Sequence, residues 1–288
     1  MNVSRRGELL LFAATLCAAS GWVTSKYVLH EMPSSMFVAG RFFIAATLLL
    51  PFCFQELKRF SWPIFKSLIF VGALLAASIN VWVHAVSTTD SLAEGAFIMS
   101  LAMIIAPLTQ WLILRQKPSS AFWVSLPIAT LGMMLLTLKN GWHFDPSLGY
   151  FFLSSCLLSA HFVLNKRVSA QLSALPSICI QMFVVAISGG ILYVMDGAPS
   201  IEVSTSGWFY FALATLLATT MRYLTQTIGQ GTTSIATASL IMILEPIWTL
   251  LMSVALFGNH LSITDTMGGT LILLSLYVYV KLSSRHGN

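Results

Sequence analysis

Charge is scarce in this sequence. Only 9% of its 288 residues are Asp, Glu, Lys or Arg, against roughly 25% in an ordinary soluble domain. With 57% of residues hydrophobic, there is too little charge to coat a globule of this size, which excludes the soluble class before any motif is read. Paired cysteines are lacking too. Cys17, Cys53, Cys156 and Cys179 all fall in apolar stretches and none forms a CxxC pair, so there is no disulfide framework and no metal-ligand spacing. Single thiols in such stretches act as small apolar fillers. No GxxxxGK[ST] loop offers direct ATP drive, and no HExxH, GxSxG or paired intramembrane acids offer hydrolysis. These absences leave no expected catalytic residue, metal or cofactor. The formal net charge of +5 follows from where Lys and Arg fall along the chain and is not a nucleic-acid signal.

Long apolar runs are what the sequence has. A spanning helix needs roughly 20 mostly apolar residues. About ten such segments can be placed, at 8–28, 35–54, 65–86, 94–114, 120–138, 148–165, 176–195, 207–227, 234–257 and 266–281. The seventh, around Gly189 and Gly190, reads as the weaker one. With the N-terminus inside, the inner segments hold Arg5, Arg6, Lys58, Arg59, Lys66, Arg115, Lys117, Lys166, Arg167, Lys281 and Arg285. Only Lys26 and Lys139 fall outside, while Arg41 and Arg222 lie within spans. This asymmetry sets the orientation and places both termini in the cytoplasm. Glu31, Asp90, Asp145, Asp196, Glu202 and Asp265 fall on the outer side. The opening SRRGELLLFAATLCAAS is like a cleavable signal, but an internal repeat requires it as a first helix.

Shifting the chain by about 140 residues brings Lys26 onto Lys166 and Arg41 onto Gln181, lays SGWVTSKY over AHFVLNKR, and carries Pro107 one place beyond Pro246. Each half, 1–140 and 141–288, then holds about five spans. Five is odd, so the second half enters the membrane from the opposite side, the layout of many secondary transporters. The predicted fold is an all-α membrane protein of ten transmembrane helices in two inverted five-helix repeats. Trp22 with Lys26, Arg41, Pro107, Glu245-Pro246 and Gly268 together resemble the EamA-like branch of the drug/metabolite transporter superfamily. Three places depart from its pattern: Leu114-Arg115-Gln116, Gly258-Asn259 and Gly21-Trp22. The resemblance implies export of amino acids or related small metabolites across a bacterial inner membrane by alternating access. A coupling proton, a counter-substrate and the oligomeric state are left open. Two alternatives also stay open: an exporter of amphipathic drugs, and an intramembrane lipid-modifying enzyme.

Polar residues inside the spans mark the expected site. An acid at a helix centre costs roughly 2.5–3.5 kcal/mol on insertion scales, so Glu245 needs a partner or a wet cavity. Pro246 removes a backbone N–H and frees the carbonyl near Met242, as in a kinked helix facing a polar interior. Arg222 is the natural partner of Glu245, which leaves a purely structural ion pair as the other reading. Arg222, Gln226 and Gln230 are four apart on one face, with Tyr223 and Thr227 beside them. Asn80 with His84, and His161 with Asn165, share this spacing. Trp22, Trp82 and Trp248 lie deep, whereas Trp62, Trp111, Trp123, Trp142 and Trp208 read as interfacial anchors. Arg41 reads as much as an ion-pair partner of Glu31 or another outer acid as a substrate contact. Gly229 and Gly231 read as a tight loop or a hinge. The expected substrate-binding set is Trp22, Asn80, Trp82, His84, Arg222, Tyr223, Gln226, Gln230 and Glu245.

Overall fold

The computed structural model describes residues 3–88, 92–137, 146–169, 172–200, 202–257 and 262–285. Asp90, Lys139, Trp142, Asp145, Gly258 and Asn259 lie outside the described residues, as does the side chain of Lys26. Every regular element among the described residues is helical. The first half holds α1 (Val3–Val28), α2 (Ser34–Leu57), α3 (Trp62–Thr88), α4 (Leu92–Leu114) and α5 (Ser120–Thr137). The second holds α6 (Ser147–Ser169), α7 (Ala174–Met195), α8 (Thr205–Leu213), a π-helical stretch (Ala214–Met221), α9 (Arg222–Thr232), α10 (Ile235–Met242), α11 (Glu245–Phe257) and α12 (Ile263–Arg285).

Eight helical stretches among the described residues are long and apolar enough to cross a membrane, with α5 shorter and the α8–π–α9 column not among them. The column falls where the eighth segment was expected, but its apolar part gives way at Arg222 to polar α9. The seventh segment corrects its expectation: α7 is continuous and the most apolar of the eight. Gly189 does not weaken it, because that glycine is a contact point. A Cβ there would lie 2.7 Å from the backbone N of Ala39, so the missing side chain lets α7 close on α2.

The exterior is greasy and the interior carries the hydroxyls. Phe52, Leu112, Val194 and Ile263 are each more than two-thirds exposed, an apolar surface that suits lipid and not water. Between helices, Ser78 and Ser154 exchange bonds through each other's backbone carbonyls at 3.0 and 2.8 Å, joining α3 to α6. Thr109 and Ser159 join α4 to α6 at 2.7 Å. Small hydroxyl residues allow such close approach without stranding a polar group in hydrocarbon.

Helices α2 and α7 run antiparallel. Along the α2–α7 seam, Ser35 Oγ donates to Asp196, Phe43 meets Phe183, and Ala46 O accepts from Cys179 Sγ. Along α5–α12, Gly132 abuts Gly268 and Ile272. The opening helices are exchanged: α1 packs on α8, the π stretch, α9, α10 and α11, while α6 packs mainly on α3 and α4.

Candidate functional site

The site begins at the break in the ninth segment. Pro246 has no N–H to offer Met242 O, and Ile247 N donates to Leu244 O at 3.0 Å instead of to Ile243 O. The helix therefore stops at Met242 and restarts at Glu245. Glu245 and Pro246 occupy the first turn of α11, where a carboxylate favours the positive helix end and proline's missing N–H costs nothing. The expected kink falls at Ile243 and Leu244, between α10 and α11. Pro107, its repeat counterpart, lies inside an unbroken α4, so the break belongs to one half only.

The column holding Arg222 is distorted as well. Over Ala214–Met221 the backbone widens to a π-helix, and Thr219 and Thr220 donate their hydroxyls to carbonyls five residues back, at 2.9 and 2.8 Å. Such π stretches recur at functional sites. This one ends where α9 presents Arg222, Gln226 and Gln230 on one stripe, with Gln226 and Gln230 buried.

Two helices of the first half meet these elements. Trp22 Nε1 donates to Glu245 Oε1 at 2.9 Å, a bond strengthened by the acceptor's charge. The Trp22 ring stands edge-on to Trp82 at 5.3 Å. Arg222 Nη1 donates to Tyr223 Oη at 3.3 Å, and its Cζ lies 4.8 Å from the Tyr223 ring centre. Arg222 interacts electrostatically with Glu245 and with Cys17 of α1. Trp22, Trp82, Arg222 and Glu245 are all only half-buried. The expected Arg222–Glu245 pairing is thus one of facing charges: Glu245 takes its hydrogen bond from an indole, and Arg222 Nε is buried without a hydrogen-bond partner.

Other expected site residues lie elsewhere. Asn80 Nδ2 donates to Ala76 O at 2.8 Å and to Ser188 Oγ of α7 at 2.9 Å, which fixes it in the α3–α7 interface. His84 is exposed and stands edge-on to Tyr150 at 4.9 Å. Trp248 Nε1 donates to Thr15 Oγ1 at 2.9 Å, pinning α11 to α1. Trp62, Trp111, Trp123 and Trp208 are exposed. Gly229 and Gly231 lie within α9, not in a loop or hinge. A Cβ on Gly229 would stand 2.7 Å from Leu11 Cγ and 2.8 Å from Gly7 O, so this glycine lets α9 close on α1.

Gln230 belongs to a buried network that sequence reasoning only half found. Asn165 Nδ2 donates to Gln230 Oε1 at 2.7 Å and to Thr227 Oγ1 at 3.3 Å. Gln181 Nε2 donates to Asn165 Oδ1 at 2.9 Å and to Ser177 Oγ at 3.2 Å, and Gln181 Oε1 pairs with His161 Nε2 at 2.8 Å. These residues are buried and tie α6, α7 and α9 together. His161 and Asn165 were visible by their spacing. Gln181 and Ser177 were missed, although the repeat register onto Arg41 could have found Gln181. Among the described residues no group of three or more His, Cys, Asp or Glu could hold a metal ion.

A family model described as the EamA-like transporter family matches residues 5–138 and again residues 146–281. A solved crystal structure is similar over 98% of this chain and 99% of its own length, with a TM-score of 0.80 and 16% identity, a likeness of fold alone. No curated protein sequence matches the chain. Two copies of one family model thus span nearly the whole sequence, and the chain belongs to the EamA-like transporter family, a family of multi-pass membrane transporters acting on small molecules.

Proposed function

We propose that the protein is a secondary transporter of the inner membrane that exports amino acids or related small metabolites by alternating access. In this reading ten spans form two oppositely inserted five-helix repeats, 1–140 and 141–288, with both termini cytoplasmic. The two halves rock about a central site lined by Trp22, Trp82, Arg222, Tyr223 and Glu245, with Gln226 next along the α9 stripe. The observation that supports it most is that charged and aromatic side chains from both halves converge, half-buried, at the one interrupted helix. Charged groups at that depth are costly unless they serve a polar path, and broken helices near the midplane are where such carriers hold substrate. The antiparallel α2–α7 seam and the α5–α12 seam pair corresponding helices of the two halves.

A second reading, export of amphipathic cations, is favoured by the Trp22–Trp82 pair beside Glu245, because aromatic faces next to a carboxylate attract cations. Reconstituted vesicles separate the two. Labelled amino acids, nucleosides and amphipathic cations are offered with and without a pH gradient, and movement of amino acids or related metabolites is expected. Arg222→Ala is expected to impair transport, because it strands Glu245, and Glu245→Gln in that background to restore part of it. Full activity in the Arg222→Ala/Glu245→Ala double variant removes the proposal. Cysteines introduced at 222, 226 and 245 are expected to react from both sides of the membrane, and reaction from neither side contradicts alternating access.

A further inference from the structure

Arg41 is a buried cation that meets no carboxylate among the described residues. It lies two turns into α2, 5% exposed, and its Nε has no hydrogen-bond partner. Its guanidinium rests on rings instead, with Cζ 4.4 Å from the Phe37 centre and 5.0 Å from that of Phe42. Two of the outer acids expected to pair with it are engaged elsewhere. Glu31 accepts from Ser204 N and Oγ at 2.8 and 2.9 Å, and Asp196 accepts from Ser35 Oγ at 3.0 Å.

A second cation stands on the same aromatic wall. The Phe42 ring tilts against Tyr223 at 5.8 Å, and Arg222 lies over the Tyr223 ring. Arg222 Nε is also buried and unpartnered. Glu245 faces Arg222, and Trp22 already holds one of its oxygens. Two cations and one anion leave the site one positive charge in excess.

Packing does not account for this. Under the internal repeat Arg41 corresponds to Gln181 of α7, which is equally buried, and there both amide atoms are bonded. One half of the fold thus meets a buried polar side chain with a neutral, satisfied network. The other leaves a charge bare. Burying an unpaired charge costs more than having none, so its retention points to a counter-ion that arrives with a ligand.

We propose that Arg41 and Arg222 form a carboxylate-binding subsite whose ligand is an organic monoanion with an apolar body. The two planar guanidiniums match a carboxylate's geometry, and a single negative charge neutralises the excess. The ligand's body lies toward the half-buried Trp22 and Trp82. An amphipathic cation meets net like charge here and is rejected. That the ligand is also the cargo rests on the transporter reading; that it binds does not.

The test uses purified full-length protein in detergent and follows its thermal unfolding midpoint. The probes share one body and differ in head group: 3-phenylpropionate, 3-phenylpropanamide and phenethylamine. Sodium chloride and inorganic phosphate at matched ionic strength are the other anion sources. The carboxylate alone is expected to raise the midpoint dose-dependently. Arg41→Gln is expected to raise the midpoint of the unliganded protein, because an unpaired charge is gone, and to weaken the ligand response at least tenfold. Arg41→Lys, which keeps the charge without the fork, is expected to retain a weaker response. An equal response to the amide or amine, displacement by phosphate or chloride, a response surviving Arg41→Gln, or a destabilised unliganded Arg41→Gln overturns the subsite. Vesicle flux on the same preparation separates the two readings. A carboxylate response without flux of any solute keeps the subsite and overturns the transporter. Flux with no carboxylate response keeps the transporter and overturns the subsite.

Discussion

Asn165→Ala is the sharpest probe of the buried network. Asn165 is fully buried and makes three side-chain hydrogen bonds, two as donor and one as acceptor. Truncation leaves Gln230 Oε1 without its donor at 2.7 Å, and Gln230 Nε2 already lacks a partner, so both polar ends of that side chain become orphans. Gln181 Nε2 loses one acceptor but keeps Ser177. The bond to Thr227 is long, at 3.3 Å, and adds little. Leaving a buried polar group unpaired costs about 1–3 kcal/mol, whereas interhelical bonds in membranes average about 0.6 and reach about 1.7 kcal/mol. Two significant losses therefore place the destabilisation at about 1–3 kcal/mol. Denaturant titration of the purified protein in mixed micelles measures it, with Thr227→Ala as the control expected to lose less than about 0.5 kcal/mol. An Asn165→Ala effect no larger than that control refutes the reasoning, as does the absence of coupling in a double-mutant cycle with Gln230→Ala.

Four further outcomes follow from contacts in the structure. Gly229→Ala forces a Cβ into Leu11 and the Gly7 carbonyl and is expected to destabilise by about 1–3 kcal/mol. Gly190→Ala, with nothing within 4 Å of the new Cβ, is expected to be neutral or to stabilise by up to about 1 kcal/mol; the same micelle titration compares the two. Trp22→Phe keeps a ring against Trp82 but removes the donor to Glu245; vesicle flux is expected to fall, with the unfolding midpoint less affected than in Trp22→Ala, and wild-type flux contradicts a role for that bond. Ser204→Ala removes the cap on Gly207 N and one donor to Glu31 and is expected to cost about 1 kcal/mol, read by denaturant titration.

The helices were legible because lipid imposes length and greasiness on each, and the break at Glu245-Pro246 was legible because both residues resist a continuous apolar helix. The π stretch was not legible. Its widening depends on Thr219 and Thr220 reaching back five residues, and threonine pairs in ordinary helices look the same. Periodicity put Asn80 on a polar stripe with His84, but it does not name the neighbour that stripe meets, and the neighbour is Ser188 of α7. Gln181 was hidden for a related reason: a lone neutral amide in the most apolar helix carries no contrast until its partners are brought beside it. Gly229 was read as a chain-turning residue, when what matters there is the absence of a side chain against α1.

The swapped opening helices carry a consequence for how the molecule can be made. Because α1 lies among α8 to α11 and α6 against α3 and α4, neither 1–140 nor 141–288 contains all the neighbours of its own first segment. Severed between them, each fragment would present an unfilled slot and a homeless rod, and only their co-expression would heal both. Two copies of one short peptide, each lending its leading rod to the other, would interlock in the same way; a single continuous polypeptide turns that partnership into a guaranteed one-to-one match.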